Sequence, residues 1–236
     1  MVNETKQAGS SVTTLYLVRH GQTKSNLDRR FQGTRDIPLD EKGHYQGDLL
    51  GQAMKDFPVD AVYTSPLSRA RETAEEIAKY HPGIPVIPCK ALEEIHAGII
   101  EGELLDEIPK KFPDTFRCMS IDIGHLRYPG GESAREVYDR VAGAIGDIVE
   151  ANRGKTIVVV SHGFSIQTYL HYASGKPFEE MKPMILANTS YCKFTYKEGS
   201  VEPVTEYLNR HDHLAEEDLT HFTLLKWEGD PEQKEE

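Results

Sequence analysis

No stretch of this 236-residue chain approaches the roughly 20 consecutive apolar residues that a membrane-spanning helix requires. The opening run "MVNETKQAGSSVTT" has no apolar centre, so no signal peptide is expected. Cysteine is scarce. Cys89, Cys118 and Cys192 are far apart and form no C-x-x-C pair, which excludes a disulfide framework or a zinc ribbon and suits reduced thiols in a cytoplasmic protein. Positive charge is in deficit: 27 Lys and Arg against 38 Asp and Glu leave a formal charge of −11. General attraction to nucleic acid or to an anionic membrane is therefore not expected, and an anionic ligand must be held by local cations.

What is present is an alternation of apolar runs with amphipathic ones. "TLYLVR", "VDAVYTS", "IPVIPC" and "TIVVVSHG" read as strands, and "SYCKFTY" and "VEPVTEYL" as late strands. "DEKGHYQGDLLGQAMKDF" reads as a helix capped by Asp40, and "PLSRARETAEEIAKY" as one capped by Ser65 with Pro66 at its first position. "SAREVYDRVAGAIGDIVEAN" carries a capping box, Ser133 to Glu136, and an apolar stripe through Val137, Val141, Ile145 and Ile148. A further helix is expected after "VVVSHG". Strands alternating with helices predict an α/β fold, a three-layer αβα sandwich on a mostly parallel sheet. One domain over residues 13–227 is expected, with an irregular and partly helical cap insertion at about 97–131 containing a short helix in "GELLDEIPKKF". Flexible ends are expected at 1–12 and 228–236. Gly43, Gly47 and Gly51, four apart, read as a helix lying close on a sheet.

Two strands end alike, "LYLVRHG" and "IVVVSHG". Ligands of parallel sheets bind at the carboxyl ends of strands, and neighbouring strands lie about 4.8 Å apart, so His20 and His162 would share one pocket if their strands are neighbours. A lone histidine there would serve equally well as a satisfied core residue; two in matching contexts favour function. Arg19 at the end of a buried strand, and Arg69 in the first turn of a helix, both need an anion. A phosphate gripped by two guanidinium groups meets both needs, although an ordinary ion pair of Arg69 with Glu72 or Glu76 is the alternative. "LEEIHAG" offers Glu93 and Glu94, and a carboxylic acid beside a phosphate ester is suited to protonating the leaving group. Gly21 and Gly163 fit places where backbone turns sharply near a ligand.

With "LVRHGQTKSN", "FQG", "TSPLSRARETA", "EEIHAG", "PGGES" and "VVVSHG" in this order, the chain resembles the phosphoglycerate-mutase-like branch of the histidine phosphatase superfamily over about two thirds of its length. The resemblance implies that His20 is a nucleophile that becomes phosphohistidine. It implies that Arg19, Arg69 and His162 surround the phosphoryl group, and that Glu94 rather than Glu93 is the proton donor. Asn26 and the Gln32-Gly33 backbone would make outer phosphate contacts, with Thr23 supporting their loop. It further implies a cytoplasmic enzyme with no metal and no cofactor. The expected ligand is a small phosphate ester, with no nucleic-acid or membrane partner; homodimer or monomer is left open.

The sequence departs from true mutases in residues 97–131, whose cations are Lys110, Lys111, Arg117 and Arg127 with no adjacent arginine pair, and at Gly163-Phe164, where mutases carry Gly-Asn. A phosphomonoesterase is therefore expected, with a phosphoglycerate mutase or an inactive phosphate-binding relative as alternatives. "GIIEG" also lacks the aromatic residue that phosphatase relatives carry in this frame. Gly-Lys-Thr in "NRGKTIVVV" precedes a strand, "VVVSHGFS" lacks the first glycine of a hydrolase nucleophile turn, and His211-Asp212-His213 reads as a surface loop rather than a metal site.

Overall fold

A computed structural model describes residues 12–220; residues 1–11 and the acidic tail fall outside the described part. In chain order the elements are β1 (Thr13–Arg19), α1 (Lys24–Leu27), α2 (Glu41–Met54), β2 (Ala61–Thr64), α3 (Ser68–Ala78), β3 (Val86–Pro88), α4 (Ile108–Lys111), α5 (Pro113–Ile121), α6 (Ala134–Ala151), β4 (Thr156–Ser161), α7 (Gly163–Ala173), β5 (Tyr191–Tyr196) and β6 (Val204–Arg210). The strands form one sheet in the order β3-β2-β4-β1-β5-β6. The first four in that order run parallel; β5 is antiparallel to β1, and β6 to β5.

The apolar runs of β1 and β4 are continuous because both faces of these central strands are covered. Leu15, Leu17, Ile157 and Val159 enter one core with α6, α7 and the 97–131 segment. Tyr16, Val18, Val158 and Val160 enter the other, under α2 and α3. This is the three-layer α/β arrangement expected from the sequence. No helix among the described residues is long and apolar enough to cross a membrane.

Two helix starts follow their caps: Asp40 Oδ1 accepts the Gly43 N–H of α2 at 2.8 Å, and Ser133 and Glu136 close their box on α6. The expected cap of α3 is incorrect. That helix begins at Ser68, and Ser65 Oγ instead accepts the Leu67 N–H at 3.3 Å in a local turn, leaving Pro66 outside the helix. The glycines of α2 also pack differently from expectation. Helix α2 meets the sheet through Leu50 and Met54, whereas its glycines face α3 and the loop after β1: a Cβ on Gly43 would stand 2.0 Å from the Gln22 carbonyl oxygen, and one on Gly51 2.8 Å from that of Glu76. The helix foreseen in "GELLDEIPKKF" is α4, preceded by a 3-10 turn; α5, beside it, was not foreseen, for Phe116 is its one buried residue and gives no periodic signal.

Candidate active site

Strands β1 and β4 are direct neighbours with Arg19 opposite Ser161, so the residues that follow, His20 and His162, leave the sheet side by side. Their rings lie 5.2 Å apart, tilted by 58°. His20 is held from every side. Its N–H donates to Ser161 O (3.1 Å), and its carbonyl accepts from Asn188 Nδ2 (2.8 Å) and Thr189 N (3.3 Å). Its Nδ1 meets the Gly21 carbonyl at 2.7 Å. A carbonyl only accepts, so Nδ1 carries the proton and Nε2 keeps its lone pair. Burial, together with the positive charges of Arg69 and Arg19, pushes the His20 pKa well below its usual 6.5. His162 is 0 % exposed, and neither ring nitrogen has a hydrogen-bond partner among the described residues. Its pKa is likewise held far down, first by burial and then by Arg69 and His20.

The arginines stand around this pair. Arg69 is 0 % exposed and donates to the Gly33 and Arg35 carbonyls, both at 2.8 Å, while its Nε faces no acceptor. It makes no pair with Glu72 or Glu76, which bond instead to Leu39 N and to His44 and Lys79. Arg19 donates to the Leu186 carbonyl. Burial brings both guanidinium groups down to about 10, which still leaves them cationic at neutral pH. Two guanidinium groups beside two neutral imidazoles make a concentrated positive charge that can receive an anion.

Glu94 approaches from the opposite wall. Its Oε1 accepts from Ile95 N (3.0 Å), Ser165 N (3.1 Å) and Ser165 Oγ (3.2 Å), and its Oε2 from Phe164 N (3.0 Å). The carboxylate thereby sits on the positive N-terminus of α7. Glu93 points elsewhere, into a separate surface hollow. Arg19, His20, Asn26, Gln32, Gly33, Arg69 and Glu94 all line one cavity of about 290 Å³. Thr23 does not. Thr23 caps α1, and its Oγ1 stands 3.1 Å from Asn26 Oδ1 and 3.0 Å from Gln32 Oε1, tying the two amides to one hydroxyl. Gly33 adopts φ +55°, and a Cβ there would strike the Glu101 carboxylate.

The outer wall is largely apolar: Phe31, Leu105, Met119, Ile123, Leu126 and Phe164 face the same cavity, joined by residues 183–186, with Arg30 and Gln167 as polar exceptions. Three readings from the sequence need correcting. Gly21 and Gly163 do not have positive φ; Gly21 is required because α2 comes so close that a Cβ would lie 2.6 Å from Gly43 O, and Gly163 opens α7 in ordinary contact range of Arg19. His213 does lie in a loop, but its ring turns inward, packing against Tyr191 and bonding to Thr189 Oγ1 at 3.1 Å, and burial brings its pKa down to about 4. Among the described residues no three His, Cys, Asp or Glu side chains are grouped to hold a metal. Sequence reasoning missed Arg140 and Glu132, which brace the backbone of Glu94; a cation bordering the Val137–Val141 stripe was the available signal.

The model of the histidine phosphatase superfamily (branch 1) matches residues 15–209, and the chain belongs to that family. It is 36% identical over 164 residues to the uncharacterized phosphatase PhoE of Bacillus subtilis (strain 168), covering 70% of this chain and 79% of that one. It is 32% identical over 185 residues to the probable phosphoglycerate mutase GpmB of Salmonella choleraesuis, covering 78% and 86%. The structure of a phosphoserine phosphatase from Entamoeba histolytica, in complex with 3-phosphoglyceric acid, superposes with a TM-score of 0.75 at 30% identity, covering 86% of this chain and all of the other.

Proposed function

We propose that this protein is a metal-independent phosphomonoesterase that acts on small phosphorylated metabolites through a phosphohistidine on His20. The observation that carries the reading is the buried, unpartnered polar set, both His162 ring nitrogens and Arg69 Nε, standing around a neutral His20 whose Nε2 is free to attack. A tetrahedral oxyanion can accept from Arg69 Nε and from whichever His162 nitrogen carries the proton.

In the first step Nε2 attacks phosphorus in line and the ester P–O bond breaks, while Glu94 gives its proton to the departing oxygen. Arg19, Arg69 and His162 hold the equatorial oxygens, and the Asn26 and Gln32 amides contact them from outside. Water then attacks phosphorus, giving its proton to the Glu94 carboxylate; the P–N bond breaks and its electron pair returns to Nε2. The guanidinium cations supply the charge stabilisation that metal ions supply in other phosphoryl transfers.

Hydrolysis is favoured over mutase chemistry by the outer wall. A mutase must hold the carboxylate of a phosphoglycerate. The four cations of residues 97–131 are instead engaged at the surface, Lys110 with Glu107, Lys111 with Glu103, Arg117 with Asp122 and Arg127 with Glu136, and none of the four lines the cavity; Arg30, which does, donates to the Gly102 carbonyl. Phe164 presents an apolar face beside Glu94. The relatives named phosphatase support this reading; the one named probable phosphoglycerate mutase keeps the alternative testable. We expect p-nitrophenyl phosphate to be hydrolysed at an undiminished rate in excess EDTA, with no interconversion of 3- and 2-phosphoglycerate when primed with bisphosphoglycerate. Loss of turnover in EDTA, or primed interconversion outpacing hydrolysis, refutes it.

A further inference from the structure

Glu94 lies in a segment that no sheet ladder holds, between the 3-10 turn Lys90–Leu92 and Gly98. A proton donor must be placed within a fraction of an ångström, so something else has to fix this backbone. Arg140, midway along α6, does so with its whole guanidinium fork. Nη1 donates to the carbonyls of Ala91 (2.9 Å) and Glu93 (2.7 Å), and Nη2 to that of Glu94 (3.1 Å). Nε and Nη2 grip the two oxygens of Glu132 at 2.8 and 3.0 Å. Glu132 Oε2 in turn accepts the His96 N–H at 2.9 Å. The ion pair therefore clasps the chain on both sides of Glu94.

Its surroundings are not those of a core contact. Arg140 and Glu132 remain 23% and 26% exposed, and both face a surface hollow shared with Lys90 and His96. The pair is about three-quarters buried, and three of its five bonds go to carbonyls of one short segment around Glu94, so whatever it adds to stability it also fixes that backbone. Lysine lacks the planar fork and could satisfy only part of it.

We propose that Arg140, paired with Glu132, is a positioning residue for the proton donor, holding the Glu94 backbone where its carboxyl reaches the leaving oxygen. The inference rests on the assignment of Glu94 in the proposed reaction. It is tested by comparing kcat/KM for p-nitrophenyl phosphate, whose leaving group needs no proton, with that for n-butyl phosphate, whose leaving group does. For Arg140→Lys we expect a loss of about tenfold on the butyl ester and less than about twofold on the aryl ester. Equal losses on both esters, or none, overturn the proposal, since a general structural defect spares neither. If Arg140→Lys does not fold, Glu132→Gln makes the same comparison and the same two outcomes decide. Glu94→Gln is measured alongside. A butyl-selective loss there but not in the clamp variants overturns the clamp alone; an equal loss there overturns the assignment of Glu94, and the clamp with it.

Discussion

A fully buried imidazole with both nitrogens unpartnered is an expensive residue, and His162 is one. Its cost shows in stability as well as chemistry. His20 and His162 are held well below 6.5 in the fold, while in the unfolded chain they titrate near their ordinary value. Below that value the unfolded chain binds protons that the native protein does not, so the stability present above pH 6.5 is lost as pH falls through it. We expect the thermal midpoint to drop on going from about pH 7.5 to about pH 5.5, and His162→Ala to flatten that drop. A slope unchanged by the substitution, measured by scanning calorimetry in phosphate-free buffer, contradicts the burial argument. At this scale the sequence was most legible where a charged or titratable residue ended an apolar run, as at Arg19, His20 and His162. Arg140 was not legible, because its role depends on which carbonyls α6 meets, and those belong to a segment more than forty residues earlier.

Helices α2 and α6 both contain glycines, for opposite reasons. Gly43 cannot take a side chain, because backbone atoms of Gln22 occupy the place of its Cβ. Gly143 and Gly146, inside α6, face open space. In a helix interior alanine is favoured over glycine by roughly 0.5–1 kcal/mol. Gly143→Ala and Gly146→Ala are therefore expected to stabilise by about that much each, whereas Gly43→Ala should destabilise by about 2 kcal/mol or more through overpacking. Urea denaturation checks this, and a Gly43→Ala midpoint at or above that of the parent contradicts the close approach of α2 to the loop after β1. Sequence patterns located these helices well. They failed at the start of α3, where Ser65-Pro66 has the composition of a cap but Ser65 folds onto its own turn. They failed again at α5, which buries too little to be periodic.

Across the whole molecule, what the sequence could suggest but not decide is strand order. Matching strand ends implied a shared pocket, yet only the pairing of β1 with β4 brings residues 20 and 162 together, and only α3 and the 91–96 segment, from either side of the sheet, add Arg69 and Glu94. The proposed reaction requires that this convergence make His20 Nε2 a nucleophile. The most direct measurement is rapid acid-free quenching during turnover of p-nitrophenyl phosphate, followed by intact-mass and peptide mass spectrometry. Attack by His20 Nε2 leaves one phosphoryl group on the peptide containing His20, lost on mild acid treatment and missing from His20→Ala. A phosphoryl group on another residue, or undiminished turnover by His20→Ala, would contradict it.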